Sequence, residues 1–331
     1  MRDALVRQDP AAPQADGPAA AWPRLSIVTP SLNRAQFLDA TIRSVVDQQY
    51  PNLDYAVVDG GSTDGSVDVI RRYADRLSYW VSEPDAGQAD AINKGWRRAS
   101  GEIIAYLNAD DVYLPGAVRR AVAAFQRDPQ LDMLYSDCQM IDAEGAPLHV
   151  AKAPDASWAS LLRAPIPQPT VFMRRRVLER VGWFDPSLHY IMDWEFCLRA
   201  ALAGAVIRRL PGAPLAAFRL WDGQKTASLF ERQIAEQLRV RDRLLASPGL
   251  ERGQVRAIEF SKAWAFLWPA YQAYVRGDMA CARELLARAM RQNARIAWHP
   301  AFIGLYARTL LGARLSRLAR DLNARWRGRT A

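Results

Sequence analysis

Two stretches of the sequence combine acids in spacings that suit chemistry. In YLNADDVYLPG (106–116), Asp110 and Asp111 follow directly on the apolar run Ile103–Leu107. Adjacent carboxylates repel each other, and burial strips their hydration; a divalent cation offsets both costs. Mg2+ or Mn2+ bridging a diphosphate typically takes one or two carboxylates and fills its other positions with phosphate and water. Asp110 and Asp111, beside Asn108, offer such a set, and the cation would neutralise a leaving diphosphate. A plainer role, capping a helix that starts near Pro115, suits Asp111 in part. Downstream, YIMDWEFCLRAALAG (190–204) puts Asp193 at the start of a helix. The helix dipole alone would favour an acid there; within hydrogen-bond reach of a hydroxyl, the same carboxylate is a general base. Glu195 points elsewhere on that helix and takes a supporting role, and His189 reads as a structural donor nearby.

These residues need a scaffold, and the pattern from Leu25 onward supplies one. RLSIVTP, DYAVVDGG, LSYWVSEPDAG and GEIIAYLNADD read as strands. Between them FLDATIRSVVDQQ, SVDVIRRYADRL and QADAINKGWRRASG read as helices, the second capped by Ser or Asp and the third ended by Gly101. Such alternation predicts an α/β fold with a mostly parallel sheet covered on both faces. Ligands of these sheets sit at the carboxyl ends of the strands. The four ends carry Thr29-Pro30-Ser31, Asp59-Gly60-Gly61-Ser62, Glu83-Pro84-Asp85-Ala86-Gly87 and Asn108-Ala109-Asp110-Asp111. Polar loops and helix caps explain any one of them; four converging on one edge predict a shared nucleotide and metal site. Farther on, 131–150 reads as two strands around a Glu144-Gly145 turn. A short strand, a basic helix, a Gly bend and a second helix follow, then a final strand and loop in AAFRLWDGQKTAS. From about Leu229 the pattern is helical, with breaks near Pro248-Gly249, Gly277 and His299-Pro300.

Taken together and in order, Thr29-Pro30-Ser31-x-Asn33, VVDGGSTDGS, SEPDAGQADAINKGW, GEIIAYLNADDVYLPGA and MDWEFCLR resemble a family 2 glycosyltransferase, inverting and of GT-A fold, over about residues 24–225. The resemblance implies single-displacement transfer of a sugar from a nucleoside diphosphate sugar, UDP by default, to an acceptor hydroxyl. It implies that Thr29, Pro30, Ser31 and Asp59 line the nucleotide pocket, with Asp59 directed at the base or ribose and Asp85 bordering the pocket. Asn108-Ala109-Asp110 occupies the place of the family's Asp-x-Asp motif, which makes Asp110 the leading metal ligand, and Asp193 falls where the family keeps its base. Three departures stand out. Asn108 replaces the first acid of the triplet, Gly60 replaces an acid of the usual Asp-Asp-Gly-Ser loop, and Trp221 stands where many relatives have a histidine. Lys225 would partly substitute by contacting phosphate. Acceptor recognition is expected from Gln168-Pro169-Thr170, Arg174 to Arg176 and Trp183.

Composition bounds the rest. The chain has 331 residues, 24% of them charged, and a formal charge of +9, which suits an anionic partner. It lacks the aromatic and basic patterning of a nucleic-acid binder. Cys138, Cys197 and Cys281 are scattered, as in a reducing compartment, and three histidines are too few for a His-rich metal site. Residues 1–23 read as a disordered lead-in. Residues 24–228 are expected to form the GT-A domain, with a nucleotide-binding half (24–112) and an acceptor-binding half (113–228). Residues 229–331 form a helical, basic region. Its last 31 residues hold Arg308, Arg314, Arg317, Arg320, Arg325, Arg327 and Arg329 against Asp321, interleaved with apolar residues. Such a helix either packs on a core or lies on an anionic membrane face. The expected setting is cytoplasmic, peripheral on the membrane's inner face, with a glycan or lipid-linked acceptor. A catalytically silent sugar-nucleotide scaffold and a nucleotidyltransferase are the alternatives.

Overall fold

Four short apolar runs set the frame. β1 (Leu25–Ser31), β2 (Leu53–Asp59), β3 (Tyr79–Ser82) and β4 (Ile103–Tyr106) lie parallel in the order β4-β1-β2-β3. β1 is buried along its whole length, as a strand covered on both faces must be. The crossovers are α1 (Ala35–Val46), α2 (Ser66–Arg71) and α3 (Gln88–Arg98), each burying one stripe. The chain is seen here in a computed structural model that describes residues 22–221, 223 and 230–311. The α/β alternation read from the sequence is present in it, and all four carboxyl ends meet at one edge.

Two glycines serve close packing. A Cβ at Gly95 would lie 2.5 Å from Val28 Cγ1, and one at Gly101 would lie 2.5 Å from the Ser26 nitrogen. Gly101 therefore lets the chain pass β1, while α3 has already ended at Arg98 with Ala99 as its cap. α2 has no side-chain cap on its Gly65 start.

The next elements are β5 (Val112–Tyr113), α4 (Ala117–Arg127), β6 (Met133–Tyr135), β7 (Cys138–Ile141), β8 (Pro147–Ala151) and α5 (Trp158–Arg163). They are followed by β9 (Phe172–Arg174), α6 (Arg175–Val181), α7 (Met192–Leu202), β10 (Ile207–Arg209) and β11 (Ala216–Arg219). The main sheet has the order β10-β6-β9-β4-β1-β2-β3, and a smaller sheet has the order β5-β11-β7-β8. Where two strands were expected in 131–150, there are three. The chain leaves the main sheet at Ser136-Asp137, whose buried carboxylate pairs with Lys152 and Arg209, and enters the small sheet at Cys138.

One direction matters most for function. β9 runs antiparallel to β4, with Arg174 opposite Ile103 and Phe172 opposite Ala105. Its entry turn, Gln168–Thr170, thus sits at the ligand edge, and Arg174 at the far edge.

The C-terminal helices are α8 (Phe230–Leu245), α9 (Arg252–Ser261), α10 (Leu267–Val275), α11 (Met279–Gln292) and a helical run over 300–311. The breaks fall where Pro248-Gly249, Gly277 and His299-Pro300 stand. These helices have a core of their own around Phe266, Leu285 and Leu286. Val240, Leu244 and Ile258, however, pack into the main core with Trp194 and Leu161. The start of the lead-in (1–21), Lys225 and the arginines after 311 lie outside the described residues.

Candidate active site

The first two strand-end loops are laced together. The Asn33 N–H donates to Ser62 Oγ at 2.7 Å, and its Oδ1 accepts from the Thr63 N–H at 2.9 Å. The Arg34 and Ala35 amides donate to Ser66 Oγ and Asp64 Oδ2, each at 3.0 Å. Inside this lacing Asp59 has no exposed surface. Its carboxylate accepts the Gly61 and Ser62 amides at 3.1 and 2.8 Å and the Ser62 and Ser82 hydroxyls at 2.5 and 2.7 Å. Asp59 therefore shapes the turn and is not directed at a base or ribose, contrary to expectation. Thr29 is likewise turned inward, its hydroxyl 3.0 Å from the Tyr55 hydroxyl, and Pro30 is buried. Ser31 differs: its Oγ is buried and has no hydrogen-bond partner among the described residues, an orphaned hydroxyl at the sheet's ligand edge.

Asp85 explains the missing acid of the second loop. Its Oδ1 accepts from the Gly87 N–H at 2.8 Å, and its Oδ2 lies 2.6 Å from where a Cβ on Gly60 would stand. The Asp85 carboxylate fills the space a side chain at 60 would need. Burial, with Asp90 and Asp59 nearby, raises its pKa above the usual carboxylate value.

At the end of β4, Asn108 is a hub. The backbone carbonyl of Tyr106 can only accept, and it receives Gln168 Nε2 at 3.0 Å. That turns Gln168 Oε1 toward Asn108 Nδ2 at 2.8 Å, which in turn points Asn108 Oδ1 at Gln88 Nε2, 2.6 Å away. An amide at 108, donor on one side and acceptor on the other, is what this chain of bonds requires; the residue is not a free metal or ribose contact. Ala109 packs into the core.

The acid pair divides. Asp111 has no exposed surface; its Oδ1 accepts the Arg219 N–H at 3.0 Å and its backbone carbonyl accepts Thr41 Oγ1 at 2.8 Å. Burial and the neighbouring Asp110 push its pKa well up. It ties β11 to the turn rather than facing a cation, and it caps no helix, since α4 starts at Gly116 without a side-chain cap. Asp110 is only partly buried, and its Oδ2 accepts the Trp221 indole N–H at 3.0 Å. The Trp221 ring is held by Phe37 and by the Arg34 guanidinium, 4.9 Å from its centroid. Among the described residues no three His, Cys, Asp or Glu side chains are grouped to hold an ion. One carboxylate still fits a Mg2+ or Mn2+ that takes its remaining ligands from diphosphate and water.

Asp193 lies in the first turn of α7, its Oδ1 accepting the Trp194 N–H at 2.8 Å. It lines an otherwise largely apolar pocket with Trp96, Tyr106, Gln168, Phe184 and Trp194. Burial raises its pKa above the usual value. The pocket therefore joins Asp193 to the Gln168–Asn108 chain, and so to the turn that carries Asp110.

The expected acceptor residues separate. Gln168 is at the site. Thr170 is buried against Ser136. Arg174, Arg175 and Arg176 bind Leu131, Gly101 and Ala99 carbonyls and the Asp132 carboxylate at the far edge, because β9 runs antiparallel. Trp183 stacks with Arg97 at the surface. Sequence reasoning missed Arg219, whose Nε donates to the Asp110 carbonyl at 2.9 Å and whose Nη1 reaches Ala143 O at 2.8 Å. It also missed Gln88 and Arg34. Their only sequence signal was proximity to the first and third strand ends.

Comparison with known proteins bears on the fold and on similarity of sequence. The family model described as "Glycosyl transferase family 2" matches residues 26–178. An uncharacterised glycosyltransferase of Rickettsia typhi is 28% identical over 182 residues, 52% of this chain and 57% of that protein; the chain thus matches little more than half of that relative's length. A PGL/p-HBAD biosynthesis glycosyltransferase of Mycobacterium bovis is 26% identical over 68% of this chain and 87% of its own. Among solved structures, S. aureus TarS 1-349 in complex with UDP-GlcNAc has a TM-score of 0.63 at 17% identity, covering 86% of this chain and 89% of its own. The mannosyltransferase PcManGT from Pyrobaculum calidifontis, in complex with GDP-Man and Mn2+, has a TM-score of 0.60 at 19% identity, covering 88% and 85%. These two likenesses establish the GT-A fold.

Proposed function

We propose that this chain, whose residues 26–178 match the family model for glycosyl transferase family 2 and which has the GT-A fold, is an inverting glycosyltransferase. It moves a sugar from a nucleoside diphosphate sugar, UDP-linked by preference, to an acceptor hydroxyl. The observation that carries this reading is the pocket that Asp193 lines together with Tyr106 and Gln168, one hydrogen-bond chain away from the Asp110 turn. Asp193 takes the acceptor's hydroxyl proton as that oxygen bonds to the anomeric carbon. The bond from that carbon to the diphosphate breaks on the opposite face, and the configuration inverts. A carboxylate with a pKa raised by burial is a better base than an ordinary one. The orphaned Ser31 hydroxyl and Asp85 face the nucleotide, while Asp110, oriented by Trp221, is the residue that would hold a divalent cation. When bound, that cation neutralises charge on the departing diphosphate.

A glycan or lipid-linked acceptor in cell-surface polysaccharide or glycolipid synthesis is part of the proposal. It is supported by the name of the mycobacterial relative and by the C-terminal surface. Trp268, Trp298, Ile303, Leu310 and Leu311 are exposed on the C-terminal helices, and the sequence after residue 311 is rich in arginine. Among the described residues no helix is long and apolar enough to cross a membrane, so contact would be peripheral. Equal membrane recovery of the full chain and a chain ending at His299 would remove this clause.

Thermal melts with UDP-, GDP- and dTDP-sugars, with and without Mn2+, test the donor reading. A donor at 100 times its Kd stabilises by about 2.7 kcal/mol; no stabilisation by any of them sinks the proposal. Asn108, which leaves one acid in the triplet, and Trp221, which stands where many relatives have a histidine, favour a second reading, a silent sugar-nucleotide-binding subunit. Transfer that is undetectable despite donor binding would select it.

A further inference from the structure

α8 carries two charged side chains buried outside the pocket. Glu236 is 7% exposed and Arg241 is 1% exposed, depths at which such residues are rare unless paired. Both Glu236 oxygens go to backbone amides: Oε1 accepts the His189 N–H at 2.8 Å and Oε2 accepts the Tyr190 N–H at 2.9 Å. Arg241 donates to Ser261 Oγ at 2.9 Å and to the Gln237 and Leu162 carbonyls, each at 3.0 Å. Its guanidinium lies 4.5 Å from the centre of the Trp194 ring. The same helix holds the start of this loop, through Arg239 to Ser187 O at 3.1 Å and Arg243 to Asp185 at 2.6 Å. Burying charge is costly without a full set of partners. Both partners of Glu236, and the ring that the Arg241 guanidinium covers, flank one residue, while the hydrogen bonds of Arg241 tie it to α9, its own helix and α5. His189 and Tyr190 precede Asp193; Trp194 follows it.

We propose that α8 is a positioning element for the base, with Glu236 and Arg241 gripping segment 189–194 on both sides so that Asp193 is held toward the Tyr106–Gln168 pocket. The inference rests on the reading of Asp193 as the base. Neither Glu236 nor Arg241 lines the pocket, so both act through the segment they hold. The helices after 229 then belong to the catalytic unit, although the family match ends at 178.

The test uses the full chain with Glu236→Ala and Glu236→Gln, beside Asp193→Asn. Hydrogen exchange at the His189 and Tyr190 amides should quicken at least about tenfold in Glu236→Ala, as for a locally opened segment. It should quicken less in Glu236→Gln, which keeps one acceptor oxygen. With the donor found in the melts, kcat should fall by on the order of 10²-fold, the cost of a misplaced catalytic group. Affinity for UDP with Mn2+ should stay within about threefold. Unchanged exchange and kcat in Glu236→Ala overturns the proposal. So does exchange that quickens equally across the central sheet, because that marks general destabilisation. If Asp193→Asn keeps full turnover, the base assignment fails and the positioning role falls with it. If exchange and kcat respond as stated while Asp193→Asn is inactive, both stand.

Discussion

The indole N–H of Trp221 donates to the Asp110 carboxylate at 3.0 Å, joining the residue that departs most from the family pattern to the acid that most resembles it. An indole nitrogen donates and cannot ligate a metal. It can, however, fix one carboxylate oxygen and leave the other free for an ion. Trp221→Phe, which keeps the contact with Phe37, should weaken Mn2+ binding by about 10- to 100-fold, the usual cost of losing an outer-sphere partner. Trp221→His should bind Mn2+ more tightly than Trp221→Phe. Mn2+ titration followed by electron paramagnetic resonance reads both; equal affinities in all three proteins would remove the orienting role.

Gly60 and Asp85 make a steric prediction. A methyl at 60 would fall 2.6 Å from Asp85 Oδ2, and that side chain must swing away. Gly60→Ala should therefore weaken UDP binding by on the order of tenfold, or about 1.4 kcal/mol, with little change in urea stability. A titration showing wild-type affinity would mean that Asp85 does not face the nucleotide.

Restoring the family's acid at 108 should harm the protein. In Asn108→Asp a carboxylate oxygen would confront Gln168 Oε1, which cannot turn without losing the Tyr106 carbonyl. A cost of about 1–3 kcal/mol is expected, as for an unsatisfied polar group. Urea melts of Asn108→Asp and of Asn108→Asp with Gln168→Ala decide it: the second change should restore part of the loss. A stability gain in the single variant would count against the hydrogen-bond chain.

Asp193 links activity to stability with opposite signs. Burial raises its pKa in the folded state, so folding favours its neutral form. That contribution is fully present below the unfolded value of about 3.9 and is lost as pH rises through the folded value. At neutral pH the ionised carboxylate is a burden that Asp193→Asn removes. The variant should melt higher than the parent at pH 7, the gap should close toward acid pH, and transfer should drop by about 10²- to 10⁴-fold. In the parent, kcat should rise with pH through a value above the ordinary carboxylate range. A variant that melts lower at pH 7 contradicts the burial argument.

Much of this was legible before any coordinates. The four apolar runs and their loop residues announced the parallel sheet and its ligand edge, because period and strand length are local properties. Type and spacing singled out Asp110, Asp85 and Asp193, and the fold places the first two in loops at the ligand edge and the third in the pocket beside Gln168. Other roles were misjudged for one recurring reason: a polar residue at a strand end looks the same whether it faces a ligand or the interior. Asp59 and Asp111 read as binding acids and proved to be buried braces. Arg174 to Arg176 read as acceptor contacts and lie at the wrong edge, since no local feature of 168–176 announces an antiparallel β9.

The sequence by itself carried the resemblance to family 2 glycosyltransferases, the alternation of strands and helices, and which loops would share an edge. These follow from apolar periodicity and from motifs whose residues are neighbours in the chain. Only the tertiary structure decided which acids face outward, why 60 is Gly and 108 is Asn, and that α8 (Phe230–Leu245) bonds the segment before Asp193. Each of those depends on a contact between residues distant in sequence: Gly60 with Asp85, Asn108 with Gln168, Asp110 with Trp221, and His189 with Glu236. Hydrogen bonds and steric fit at about 3 Å are settled by where the fold brings the chain, not by the order in which the chain lists its residues.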